Sequence, residues 1–152
     1  MGYSALFAFL HHAAAFTLFA ALAVEWVLIR NELTQASARS IMRADLIYGV
    51  AAGVVLVVGF LRVYFFEKGS EYYCHSAPFI TKLTVFLLIG LISIYPTVVF
   101  LKWGKPLKEG RLPEVPPAQL RTLRLILHLE QGGIVIMLLA AALMARGIGF
   151  FG

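Results

Sequence analysis

The chain has 152 residues, of which 61% are hydrophobic and 14% are charged, and its formal net charge is +5. A soluble domain is about half apolar and about a quarter charged, so this composition predicts a protein whose solvent is the lipid bilayer. It excludes intrinsic disorder, a collagen repeat and a secreted disulfide scaffold, and the single cysteine, Cys74, cannot form an internal disulfide. The positive charge does not indicate nucleic-acid binding, because membrane proteins carry such a surplus in their cytoplasmic loops.

Four stretches are each long enough to cross a bilayer, which takes about 20 mainly apolar residues. The first is longer than the apolar region of a signal peptide and follows no Lys or Arg, so we interpret it as a retained helix. Short connections favour an all-α, integral membrane, up-down four-helix bundle. There is no room for a second core, so residues 1–152 are expected to form one transmembrane domain. The predicted spans cover residues 3–29, 45–66, 78–101 and 120–145.

The distribution of Lys and Arg predicts the orientation of the chain. Nine of the 13 lie in or beside the first and third connections, residues 30–44 and 102–118. The positive-inside rule assigns these connections to the cytoplasm, so both termini are expected outside, in the inner (cytoplasmic) membrane of a bacterium. Aromatic residues near the span ends, among them Tyr48, Tyr73 and Trp103, are interpreted as interfacial belts.

Four ionisable side chains are predicted at the depth of the outer leaflet: His11, His12, Arg62 and Lys82. Such side chains are costly inside a bilayer, and no carboxylate is expected at the same depth. An anionic ligand would compensate the two cations, and neutral imidazole is the commonest protein ligand of metals. Haem meets both requirements, because its iron takes an axial ligand and its propionates pair with cations. The alternative is that Arg62 and Lys82 extend to the interface while the histidines only pack.

Helical geometry makes His11 the first ligand candidate and His12 the second. Adjacent residues point about 100° apart on a helix, so one of the two faces the bundle centre. Glu25 follows His11 by 14 residues, which returns to within about 40° of the same face. A carboxylate inside the membrane has to face inward, so we expect His11 to face inward as well.

A second polar layer is predicted deeper in the membrane, toward the cytoplasmic side. Its members are Glu25, Asp45, His128 and Glu130. We expect a network that manages protons, with Arg30, Arg43 and Arg124 close enough to pair with the carboxylates; a purely structural ion-pair cluster is the alternative. His128 lies roughly 15 Å deeper than His11, too far for both to be axial ligands of one iron.

Residues 9–22, FLHHAAAFTLFAAL, and residues 78–91, PFITKLTVFLLIGL, carry a resemblance to known proteins. They resemble helices one and three of HemJ-type proteins, four-helix bacterial membrane proteins grouped with CopD-like copper-resistance domains. Those proteins act as protoporphyrinogen IX oxidases and bind haem b, and the resemblance implies His11 and Lys82 as the functional pair. The chain looks still more like an uncharacterised bacterial membrane family with a domain of unknown function. That likeness also takes in Glu25, Asp45, Tyr48-Gly49, Gly59, Arg62, Tyr73, Phe79 and Lys82.

The leading hypothesis is therefore a membrane protein that binds haem b, resembles HemJ-type oxidases and has a redox role near the outer leaflet. His11 is the expected ligand of the haem iron, with His12 as the second candidate. Lys82 is either the other axial ligand or a partner of a propionate, and Arg62 is an anion clamp. Lys82, Arg62 and Glu25 are the candidate catalytic residues of a haem-dependent oxidoreductase, although whether the protein is an enzyme stays open.

Two other classes of function stay open. One is a CopD-like transporter of metal or protons, for which one Cys and four Met supply few soft ligands. The other is a non-catalytic subunit of a larger membrane complex. The expected partners are membrane lipid and either a quinone or a porphyrinogen, without nucleic acid. Gly49, Ala52 and Gly53 allow close helix approach, so a homo-oligomer is also open.

Overall fold

A computed structural model describes residues 2–66 and 68–151, and every regular element in that part of the chain is helical. In chain order the helices are α1 (Gly2–Arg30), α2 (Gln35–Leu61), the short α3 (Ser70–Cys74), α4 (Ala77–Lys102), the short α5 (Gly104–Lys108) and α6 (Pro117–Ala145). A π-helical turn over Arg62–Phe66 extends α2. Four helices, α1, α2, α4 and α6, are long and apolar enough to cross a membrane. The predicted all-α fold with four membrane helices is confirmed.

The starts of the long helices follow local capping signals. α2 begins at Gln35, ahead of the span start predicted at Asp45. The backbone N–H of Ser37 donates to Oγ1 of Thr34 at 3.1 Å, and the N–H of Thr34 donates to Oγ of Ser37 at 2.8 Å. This reciprocal capping box starts the helix in a polar part of the chain, which an apolar run cannot reveal. α6 begins at Pro117, whose missing N–H has no helical partner to lose in the first turn.

The long helices pack as two tight pairs, α1 with α2 and α4 with α6, and the pairs meet mainly where α1 contacts α6. α2 and α4 share few contacts, and a cavity lies between them near their π-helical and N-terminal ends. α4 and α6 pack closely at Gly133, where an added Cβ would clash with Cδ1 of Ile89. Large apolar side chains such as Leu22, Phe100 and Leu127 fill the centre of the bundle.

The two ends of the bundle have different connections. At one end, the N–H of Phe151 donates to the carbonyl of His75 at 2.9 Å, which ties the last described residues to the connection before α4. We call this the terminal end, because α1 starts there and α6 finishes there. At the other, the loop end, Nε2 of Gln35 donates to the carbonyl of Gly110 at 2.7 Å. The contact joins the start of α2 to the segment that follows α5.

Three aromatic residues interpreted from the sequence as interfacial belts belong to the core instead. Tyr48, Tyr73 and Trp103 are buried, and Trp103 packs against Phe100 with ring centroids 4.9 Å apart. The belt interpretation was wrong for these residues, because position near a helix end does not show which face of the helix a ring occupies.

Candidate functional site

A cavity of about 110 Å³ lies in the cleft between α2 and α4, toward the terminal end. His11 of α1, Arg62 of the π-helical turn and Lys82 of α4 supply its basic groups. Its other walls are mainly apolar or aromatic and include Tyr73 and Phe79. The structure thus brings together three of the four residues that were predicted to share the outer layer.

A second cavity, of about 170 Å³, lies on the other side of the same residues. His11, Lys82, Val55 and Phe86 line both cavities, so these side chains form the partition between them. The second cavity continues along α1 and α6 to Leu18 and Met137. We call the two cavities, with His11, Arg62 and Lys82, the cationic pocket.

The adjacent histidines of α1 occupy different surroundings. His11 is partly buried, and its Nδ1 is a buried atom without a hydrogen-bond partner among residues 2–66 and 68–151. His12 is exposed, and its Nδ1 lies 2.7 Å from the carbonyl oxygen of Ala8 on its own helix. His12 also lines the second cavity, but only His11 contributes to both.

Gly59 of α2 makes room for the His11 ring. A Cβ at this position would lie 3.2 Å from Cε1 and 3.5 Å from Nδ1 of His11. The first of these distances is shorter than an ordinary van der Waals contact between carbon atoms. The ring edge therefore packs directly against the backbone of α2, and any larger residue at position 59 would have to displace it.

A second polar site lies deeper, toward the loop end. Glu25 of α1, Asp45 of α2 and Glu130 of α6 are only 1%, 6% and 1% exposed. Glu25 and Asp45 interact electrostatically, and Oγ1 of Thr97 donates to Oδ1 of Asp45 at 3.1 Å. Tyr48 of α2 is buried beside them. We call Glu25, Asp45 and Glu130 the carboxyl layer.

The cations expected to pair with these carboxylates have other partners. Nε of Arg124 donates to the carbonyl oxygen of Ile29 at 2.9 Å. The guanidinium of Arg30 lies over the Trp26 ring, 4.8 Å from its centroid, and Arg43 is exposed. Within the described part of the chain, both carboxyl oxygens of Glu130 and one of Glu25 are buried without a hydrogen-bond partner. The expected ion pairs are therefore not formed.

His128, the fourth predicted member of the deep layer, does not join it. It is exposed and stacks on Trp26, with ring centroids 6.3 Å apart. Side chains two positions apart on a helix point about 200° apart. Because Glu130 faces inward, His128 therefore faces outward. The spacing of His128 and Glu130 in the sequence was enough to predict that they face different sides of the helix.

A scan of protein-family models matches residues 3–149 to predicted membrane proteins of the family DUF2214. The chain belongs to this family. The match confirms the resemblance to an uncharacterised membrane family, whereas the likeness to HemJ-type and CopD-like proteins stays a prediction. No curated protein and no solved structure matches the chain.

Thr97 and Tyr48 are site residues that sequence reasoning missed in these roles. Thr97 lies in a long apolar run, and only its contact with Asp45 on another helix distinguishes it. A hydroxyl one or two turns from a helix end is common in membrane helices, so its position alone carries no signal.

Among the described residues, no group of three His, Cys, Asp or Glu side chains is arranged to hold a metal ion.

Proposed function

We propose that the chain binds haem b at the cationic pocket and takes part in membrane redox chemistry. One observation carries the proposal: the partly buried His11 ring lines both cavities of a pocket that also holds Arg62 and Lys82. An imidazole and two cations within otherwise apolar walls match a cofactor with a metal centre, a large apolar ring and two carboxylates.

The side chains that line the cationic pocket suit haem, but the two cavities are too small for it and have to enlarge. Sites for ligands of drug size enclose roughly 300–1,000 Å³, and the two cavities measure about 110 and 170 Å³. Binding therefore requires the partition at Phe86 and Val55 to move, or α2 and α4 to part. The second route breaks few contacts, because these two helices pack mainly on α1 and α6.

Each basic residue has a separate task in this proposal. His11 would ligate the iron, Arg62 would pair with a propionate, and Lys82 would be either the second ligand or the partner of the other propionate. Haem bound there would supply a one-electron centre whose potential depends on its protein ligands and on burial. Phe79, Tyr73 and the surrounding apolar side chains exclude water from the pocket. A quinone or a porphyrinogen is the proposed redox partner.

The location of this chemistry follows from the charge distribution. The connections at the loop end carry most of the Lys and Arg residues, so the positive-inside rule directs them to the cytoplasm. The cationic pocket lies at the terminal end and would then open near the outer leaflet of a bacterial inner membrane, with both termini outside.

Haemin titration of the detergent-purified protein tests the proposal. Wild type should develop a ligated Soret band that saturates, and His11→Ala should not. Losing one charged hydrogen bond to a propionate costs about 1.5–3 kcal/mol, so Arg62→Gln should bind about 10- to 100-fold more weakly. Arg121→Gln, an exposed residue at the loop end, is the matched control and should bind like wild type. Equal binding by all four proteins would refute the assignment.

A further inference from the structure

The carboxyl layer is enclosed by apolar side chains on both sides. Leu22 and Ile89 lie toward the terminal end, and no residue of the layer lines either cavity of the cationic pocket. Ile29 and Phe100 lie toward the loop end. All four are buried, so the polar groups between them form an occluded site in the centre of the bundle.

The carboxyl layer cannot be fully ionised. Glu25, Asp45 and Glu130 are buried and interact electrostatically, and carboxylates that share a buried site repel one another. The Thr97 hydroxyl donates to Oδ1 of Asp45 at 3.1 Å and compensates only part of this charge. We therefore expect at least one carboxyl group of the layer to hold a proton.

Glu130 provides the second, independent observation. Its side chain is 1% exposed, and in the described part of the chain neither carboxyl oxygen has a hydrogen-bond partner. It interacts electrostatically with both Glu25 and Asp45, so it belongs to the same environment. Burying a polar group without a partner is costly. A carboxyl held in this way is poised to accept or donate a proton rather than to stabilise the fold.

The groups that face the layer come from all four long helices. α1 contributes Glu25, α2 contributes Asp45 and Tyr48, α4 contributes the hydroxyl of Thr97, and α6 contributes Glu130. The nearby guanidiniums of Arg30 and Arg124 are engaged with Trp26 and with the Ile29 carbonyl.

We propose that the carboxyl layer is a proton-binding site that takes up and releases protons inside the membrane. Uptake joins a proton from water to a carboxylate oxygen of the layer, and release breaks the same O–H bond, so no other reactant is needed. The inference goes beyond haem binding and does not depend on it, because Glu25, Asp45 and Glu130 line neither cavity of the cationic pocket.

Infrared spectroscopy of the purified, reconstituted protein tests this site directly. Exposed Asp and Glu titrate near pH 4, so at neutral pH only shielded carboxyls contribute a C=O band of the protonated form. We expect such a band in wild type, a partial loss of it in Glu130→Gln and Glu25→Gln, and no change in Glu32→Gln, an exposed control. Folding of each variant is checked by size-exclusion chromatography, and the wild-type spectrum decides the question even where a variant fails to fold.

Transfer to deuterium oxide separates an exchanging site from a purely structural one. The carboxyl band should shift before the amide groups of the helix core exchange, which provides an internal clock in the same spectrum. A missing band at neutral pH, a band that none of the carboxyl variants alters, or a band that shifts only with the core amides would each overturn the proposal. None of these results depends on bound haem, so a failure of the haem assignment is recognised separately.

Discussion

Replacing Gly133 with alanine should destabilise the bundle, because it introduces a methyl group where α6 packs closely on α4. The added Cβ would clash with Cδ1 of Ile89 and would lie 2.9 Å from Cγ1 of Ile89 and 3.4 Å from Cγ1 of Val85. Rotating the end of the Ile89 side chain relieves the first contact but not the second, so the helices have to shift. Overpacking of this kind costs about 1–3 kcal/mol, of which the better helix propensity of alanine recovers up to about 1 kcal/mol.

Thermal unfolding of the detergent-purified protein measures this loss, since 1 kcal/mol lowers the Tm of a chain of this length by roughly 2–4 °C. Gly132→Ala is the matched control, because no described atom beyond its own helix lies within 4 Å of that added Cβ, and its Tm should hold or rise. Ile89→Val removes Cδ1 and so relieves part of the clash. The double variant Gly133→Ala/Ile89→Val should therefore lose less free energy of unfolding than the sum of the two single variants, by at least about 0.5 kcal/mol. Equal Tm values for the two alanine variants, or strict additivity in the double variant, would refute the reasoning.

Two further substitutions test local features of the fold and the pocket. Gly59→Ala should push the His11 ring from its seat and weaken haemin binding several-fold, whereas Gly53→Ala, which meets no described atom within 4 Å, should bind like wild type; identical titrations would contradict the seat at Gly59. Thr34→Ala removes the cap of α2 and should lower the free energy of unfolding by about 1 kcal/mol. Thr122→Ala, which loses only a bond to its own helix, should change it much less, and similar losses in both would argue against the capping box.

The fold was largely predictable from the sequence, because a bilayer leaves few alternatives. Runs of about 20 apolar residues have to be helical, since the backbone finds no other hydrogen-bond partners in lipid. The side of α1 that faces the bundle could also be predicted. The spacing of His11 and Glu25 puts both on one side of the helix, and in the structure both face the bundle. The start of α2 was missed, because Thr34 and Ser37 form a cap outside the apolar run.

The sequence predicted which residues belong to the candidate sites but not which of their side chains contact one another. Burial cost alone identified His11, Lys82 and the buried carboxyls, because an ionisable group inside a membrane requires an explanation. Which side chains meet depends on the register between helices, and a single sequence does not contain it. The contact of Thr97 with Asp45 and the Gly59 seat for His11 therefore emerged only from the structure. The position of His128, by contrast, followed from its spacing to Glu130 and was overlooked.

The most direct test of the haem assignment is an absorption spectrum of the protein as purified, oxidised and then reduced with dithionite. Cells expressing it need ample haem supply, and His12→Ala serves as the matched control for His11→Ala. The account predicts a Soret band and b-type reduced bands in wild type and in His12→Ala, and their loss in His11→Ala. A colourless wild-type protein, or bands that survive in His11→Ala, would contradict it.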